Sequence, residues 1–168
     1  SPAMLQNNQI DMFHKYLSEL YDNRRFQGVV HITLGTEVVF SEGYGYAKLE
    51  QHWANTDTTV YPIGSITKQF TAAAVLQVVE RGLVLLGDPL SKYFPVSKTA
   101  MASSINQLLT HTSGLPEEGV ETSVGKLTLA DFVKLQRNVP LKYVPGTRFL
   151  YSNLGYVFLA YVVEKASG

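Results

Sequence analysis

The chain contains no cysteine. That absence excludes disulfides, thiolate-bound metals and a cysteine nucleophile together, although it fixes no compartment, since exported proteins also do without cysteine. Net charge is missing as well: 14 lysines and arginines balance 14 aspartates and glutamates, so no overall field draws the chain to nucleic acid or to an acidic membrane surface. Long apolar runs are absent too. The longest, residues 154–163, has ten residues; that is half a membrane span and reads as a buried helix. Residues 1–9 carry neither a basic stretch nor an apolar one, so no signal peptide is visible, and the opening Ser-Pro-Ala-Met reads as added sequence. No repeat and no low-complexity tract stands out.

What is present is the balance of a folded domain. With 168 residues, 45% of them hydrophobic and 17% charged, the chain is long enough for one real core and short for two. Ile10, Phe13, Leu17 and Leu20 recur at helical spacing, predicting an amphipathic helix over residues 9–22. Residues 26–34 and 37–50 are rich in β-branched and aromatic residues and flank Gly35-Thr36, which predicts a hairpin. Ser65 opens a predicted helix to Arg81, stopped by Gly82. Shorter helices are expected near residues 104–110 and, after a capping-type Thr128, to Asn138. An extended connector turns at Pro145-Gly146, and Ser152 or Asn153 begins a last helix to Ala166. The reading is an α/β (α+β) chain, with residues 1–60 supplying a helix and hairpin and residues 61–168 a helical region. A lone hairpin is marginal in water, so further strands are expected to follow Gly168.

The chemistry concentrates at Ser65-Ile-Thr-Lys68. Lys68, Ala72, Val75 and Val79 form the inward stripe of the helix, while Gln69, Ala73, Gln77 and Glu80 form a mostly polar one. Lys68 therefore stands beside Ser65 across one turn. The macrodipole at a helix start and desolvation both favour an uncharged amine there, able to take a serine proton. Backbone N–H groups at the same helix start are placed to hold a developing oxyanion. The plain alternative is that Ser65 is an N-cap and that Lys68 snorkels to water. With 12 serines and 9 lysines, chance supplies about 0.6 such pairs. A second pair, Ser123 and Lys126, lies in a polar glycine-bearing loop with no apolar helix behind it. Further along, Tyr151 and Asn153 fall where an extended segment meets a helix. A tyrosine beside a lysine ammonium has a lowered pKa and can move protons, and an asparagine amide can orient both a substrate carbonyl and the lysine. Their plain alternatives are a buried aromatic and a second helix cap; Tyr21-Asp-Asn23 shows how common the Tyr-x-Asn pattern is.

Taken together, PIGSITKQFTAAAVLQVVERGLVLLGDPLSKYFP, INQLLTHTSGLP and PGTRFLYSNLGYVFLAYVVEKASG closely resemble the serine β-lactamase and penicillin-binding-protein superfamily, nearest its class C-like branch of β-lactamases, D-alanyl peptidases and esterases. The resemblance runs from about Phe26 to the end. It implies the β-lactamase/transpeptidase-like fold, Ser65 as the acylated nucleophile, Lys68 as its lysine partner, Tyr151 as base or proton shuttle, and Asn153 as a contact to substrate and lysine. Which group takes the serine proton stays open. His111 looks structural rather than basic, and no acid is placed for a Ser-His-Asp triad. Glu117 and Glu118 follow directly and are candidates to line the mouth of the cleft, with Glu118 the candidate substrate contact; the plain alternative is that both are solvated surface charge. No cofactor and no metal is implied.

The implied partners are a β-lactam, a peptidoglycan stem peptide or an ester, in the periplasm or outside the cell. The family's third motif, Lys-Thr-Gly or similar on an edge strand, belongs well beyond Tyr151. Lys98-Thr-Ala100 precedes Tyr151 and lacks the bare glycine backbone. The chain is thus expected to be an N-terminal portion, a poor catalyst by itself, completed by a C-terminal segment or a second chain. The alternative is a non-catalytic peptidoglycan-binding or assembly module that retains the fold.

Overall fold

The computed structural model describes residues 7–94, 103–119 and 127–168. The second Ser-x-x-Lys pair at Ser123 and Lys126, the Lys98-Thr-Ala100 triplet and the opening Ser-Pro-Ala-Met lie outside the described residues. The chain divides into two compact units, Ser1–Pro62 and Ile63–Gly168.

In the first unit, α1 (Asn7–Asp22) turns its periodic apolar face onto a hairpin of β1 (Gly28–Leu34) and β2 (Glu37–Tyr44). Leu17 is buried with Phe40 and Tyr44, and Ile10, Phe13 and Leu20 pack around them. This helix cover is what a two-stranded sheet needs to persist in water. Gly35 takes φ 62° in the Gly35-Thr36 turn, so that Leu34 pairs with Glu37; left-handed backbone at this point suits a two-residue hairpin connection.

Residues 37–50 do not continue as one strand. Gly45, at φ 71°, breaks the run, and β3 (Tyr46–Lys48) pairs instead with β4 (Trp53–Ala54) in a second small sheet. The cause lies in Asn55, whose Nδ2 donates to the Tyr44 carbonyl at 2.8 Å and whose N–H donates to the Gly45 carbonyl at 2.9 Å. Gly43 permits this approach, because a Cβ there would fall 1.9 Å from the Asn55 carbonyl oxygen.

The second unit is helical. A 3-10 turn, Gly64–Ile66, leads into α2 (Thr67–Glu80); α3 (Ile105–Leu109), α4 (Leu129–Leu135) and α5 (Asn153–Ser167) follow. Helix α5 is the hub, packing against α2, α3 and α4. Its Leu154, Phe158, Leu159 and Val162 are buried with Val75 and Val78 of α2, Ile105 and Leu108 of α3 and Val133 of α4. The predicted helix to Asn138 tightens into a 3-10 turn over Gln136–Asn138, as helix ends often do. Helix α3 begins with a full capping box: Ser104 accepts from the Gln107 N–H, and the Gln107 side chain accepts from the Ser104 N–H. Ahead of it, Asp88 fixes a loop by accepting from the Leu85 N–H and Lys92 Nζ, each at 2.8 Å, and from the Tyr93 hydroxyl.

Candidate active site

Ser65 sits in the middle of the 3-10 turn that precedes α2, just after Gly64, whose φ of 52° turns the chain into the helix. Neither the turn nor α2 is capped by a side chain. The N-cap alternative for Ser65 therefore does not hold. Its Oγ instead lies 2.6 Å from the Tyr151 hydroxyl and accepts from Lys68 Nζ at 3.0 Å, while the residue itself is exposed.

Lys68, one turn later, does not snorkel to water. Its Nζ also donates to Asn153 Oδ1 at 2.6 Å and lies 4.8 Å and 5.7 Å from the ring centroids of Tyr151 and Tyr156. Two oxygen acceptors and two aromatic faces suit an ammonium group. The rest of the stripe behaves as the periodicity predicts, with Val75 buried and Ala72 and Val79 partly so, while Gln69, Ala73, Gln77 and Glu80 are exposed.

Tyr151 and Asn153 come from the junction between the connector and α5. Ser152 caps that helix: its Oγ accepts from the Gly155 N–H at 3.0 Å and donates to the Pro116 carbonyl at 2.6 Å. With the cap supplied by Ser152, the Asn153 amide is left for the cleft. Its Oδ1 faces Lys68 and its Nδ2 donates to Glu118 Oε1 at 2.5 Å. A lysine only donates and a carboxylate accepts, so these two neighbours dictate which way the amide points. Glu118 thus joins the group through Asn153, as an exposed carboxylate at the end of the chain Glu118–Asn153–Lys68–Ser65. Glu117, also exposed, takes the N–H groups of Asn153 and Leu154 on its backbone carbonyl. All five residues singled out by sequence (Ser65, Lys68, Glu118, Tyr151 and Asn153) are brought into one hydrogen-bonded set.

The electrostatics follow from this packing. Hydrogen bonding from Lys68 first, and from Ser65 second, holds the Tyr151 phenol below its ordinary pKa, against weaker opposition from desolvation. Burial pushes the neighbouring Tyr156 phenol up, and its hydroxyl donates to the Leu109 carbonyl at 3.0 Å. One of the two tyrosines is thus biased toward phenolate and the other against it. Burial, then the charge of Lys68, pushes the His111 imidazole down. Sequence reasoning passed over Tyr156 and gave His111 only a general structural part. The first was findable as the residue one helical turn after Asn153, on the same face. Among the described residues no group of three or more His, Asp or Glu side chains is placed to hold a metal ion.

Comparison with known proteins bears on the same region. A sequence-family model described as Beta-lactamase matches residues 13–168. The teichoic acid D-alanine hydrolase of Staphylococcus aureus (strain MRSA252) is 30% identical over 162 residues, which are 96% of this chain and 40% of that protein. Among solved structures, the octameric penicillin-binding protein homologue from Pyrococcus abyssi matches with a TM-score of 0.81 at 31% identity, over 95% of this chain and 39% of that one. A penicillin binding protein from Bacillus halodurans matches with a TM-score of 0.75, again at 31% identity, over 90% of this chain and 50% of that one. The chain spans about two fifths of the length of the curated relatives it matches.

Proposed function

The chain belongs to the β-lactamase and penicillin-binding-protein superfamily of serine hydrolases and has that superfamily's mixed helix-and-strand fold; on this premise we propose that Ser65 is an acyl-accepting nucleophile activated by Tyr151. The observation that carries the reading is the contact at 2.6 Å between the Ser65 and Tyr151 hydroxyls, made across 86 residues of sequence around a serine that caps nothing.

In the proposed reaction the Tyr151 phenolate takes the Ser65 proton as Oγ attacks the acyl carbon. The Lys68 ammonium, bonded to Oγ, steadies the charge that passes between them. The N–H of Ser65 lies in the opening turn of the helical segment, where N–H groups have no intrahelical acceptor, and serves as one oxyanion donor. When the tetrahedral intermediate collapses, the leaving amine or alkoxide takes the proton back from Tyr151. A water molecule then gives one proton to Tyr151 and its oxygen to the acyl carbon. As the bond from the acyl carbon to Oγ breaks, Oγ takes that proton from Tyr151, releasing the acid and restoring Ser65 and the phenolate. Asn153 holds Lys68 and presents its amide to the acyl donor, and Glu118 keeps that amide turned the right way. No other side chain is required to move a proton.

For substrate we infer a D-alanyl amide or ester, or a β-lactam that mimics one. The S. aureus relative, named for hydrolysis of D-alanine from teichoic acid, supports the D-alanyl class. Such acyl donors are met in the cell envelope or outside the cell, where we place the whole protein's action. No helix among the described residues is long and apolar enough to cross a membrane. Turnover is expected to need more than this chain. Ile66, in the turn just before helix α2, and Phe70 and Leu76 of α2 are 57%, 63% and 51% exposed. Large apolar side chains left exposed this close to the nucleophile are surface that a partner can cover, which supports a complementing segment or second chain.

The test is covalent labelling. A penicillin or a fluorophosphonate should add its acyl or phosphonyl mass to Ser65, and Ser65→Ala should abolish the shift. Absence of any adduct on the complete protein would instead favour the non-catalytic module.

A further inference from the structure

We propose that His111 is the positioning residue for Tyr151, and that it works only as a neutral imidazole with Nδ1 unprotonated. The inference rests on the acyl-transfer reading for its functional consequence, but its structural content is independent of it.

The first observation is conformational. His111 follows the end of α3 and has φ 56°. Its N–H donates to the Leu108 carbonyl at 3.3 Å, and the Thr112 N–H reaches back to the Gln107 carbonyl at 2.8 Å. This is the paired 5→2 and 6→1 bonding of a Schellman stop, with His111 in the left-handed position that glycine normally fills. A histidine is held there against local preference, and so its side chain is the feature to account for.

The side chain and backbone of His111 grip both neighbours of Tyr151. The His111 carbonyl accepts from the Leu150 N–H at 2.8 Å, and its Nδ1 accepts from the Ser152 N–H at 3.1 Å. Between those two bonds, the imidazole packs on the Tyr151 ring with centroids 4.6 Å apart and planes 31° apart. It touches Tyr156 on α5 at 5.1 Å and Phe149 at 5.8 Å as well. Tyr151 is thus held from the residue before, the residue after and one ring face, all by a single residue 40 positions earlier in the chain.

Only one protonation state can do this. A backbone N–H must find a lone pair on Nδ1, which requires the tautomer with its proton on Nε2. Protonation would replace the acceptor with a second donor facing the Ser152 N–H, and Tyr151 would be released at its C-terminal side. The charged and titratable groups placed by the ring are Tyr151 on the connector, Tyr156 on α5 and Lys68 from α2, whose Nζ lies over both tyrosine rings, while Glu117 and Glu118 on the loop after Pro116 bond Asn153. Burial and the Lys68 charge both act to keep the imidazole neutral.

Three variants separate the contributions. His111→Gly relieves the backbone but removes the ring and its acceptor. His111→Asn tolerates the left-handed conformation and carries an amide oxygen where Nδ1 stood. His111→Phe keeps a ring without the acceptor. Rates of Ser65 labelling by a fluorophosphonate, followed by intact mass across pH, should fall about tenfold to a hundredfold in His111→Gly, although its thermal midpoint stays at or above that of the parent. Labelling should recover in His111→Asn and not in His111→Phe. The parent's rate should drop as His111 protonates, an acid limb that His111→Asn lacks. Nitrogen-15 NMR of the parent should show Nδ1 unprotonated at neutral pH and the Ser152 amide shifting as His111 titrates. If the parent labels and His111→Gly labels equally fast, the positioning role is wrong. If the parent does not label at all, the acyl-transfer reading fails, and the NMR titration still decides: a protonated Nδ1, or a Ser152 amide indifferent to His111, overturns the proposal.

Discussion

Replacing Tyr151 with phenylalanine is the sharpest perturbation of the proposed chemistry, because it removes one atom from the site and almost nothing from the fold. The phenol oxygen makes its hydrogen bond to Ser65 Oγ. The ring keeps its packing on His111 at 4.6 Å and its place beneath Lys68 Nζ at 4.8 Å. A positioned general base contributes about 10²–10⁴ in rate, so the second-order constant for Ser65 acylation should fall by that factor with an unchanged unfolding midpoint. The pH profile should change as well. Acylation by the parent needs phenolate, so its rate rises with pH through the pKa of Tyr151. Hydrogen bonding from Lys68 places that limb below the ordinary tyrosine value, which is about 10. Tyr151→Phe should lose the limb altogether, whereas Lys68→Met should shift it upward by removing the largest cause of the lowering. The assay is time-resolved intact-mass labelling with a fluorophosphonate at a series of pH values. Labelling of Tyr151→Phe at the parent's rate throughout would refute Tyr151 as the base and return the role to Lys68.

Three further outcomes are expected. Asp88 is held at about 2, from an ordinary 3.8, by hydrogen bonds from Lys92, then Tyr93, then the Leu85 N–H; its contribution to stability is whole above the ordinary value and lost as pH falls toward about 2, so the thermal midpoint of the parent should drop through that window more steeply than that of Asp88→Asn. Gly114 has φ 78°, and a Cβ there would lie 2.1 Å from the Tyr143 carbonyl oxygen; Gly114→Ala should cost about 1–3 kcal/mol in urea unfolding. Ser152→Ala removes the α5 cap and the bond to Pro116 from a buried hydroxyl, costing about 1–3 kcal/mol, and should slow Ser65 labelling because Asn153 and Tyr151 flank it; unchanged labelling would show that the cap does not help set the site.

Much of the fold was legible because its determinants are local. The apolar spacing of Ile10, Phe13, Leu17 and Leu20 specifies a helix face whatever lies against it, and Gly35-Thr36 specifies a hairpin turn from two residues. Ser104, Thr128 and Ser152 cap helices through partners three residues away. The spacing of Ser65 and Lys68 likewise puts both on one side of a helical turn. The strand over residues 37–50 was misread because its break depends on Asn55, whose hydrogen bonds to the Tyr44 and Gly45 carbonyls reach across eleven and ten residues.

The sequence by itself determined the candidate set, because Ser65 with Lys68, and Tyr151 with Asn153, are each defined by short-range spacing on a helix or at its start. Tertiary structure alone decided what that set is. Packing α5 against α2 carries Tyr151 and Asn153 to Ser65 and Lys68 over 86 and 85 residues, and it turns Glu118 from a mouth residue into the partner of an amide. Packing of α3 against α5 in turn sets His111 against Tyr151. Periodicity cannot register such pairings, since hydrogen bonds between distant residues depend on how helices meet, and not on the local order in which side chains are written.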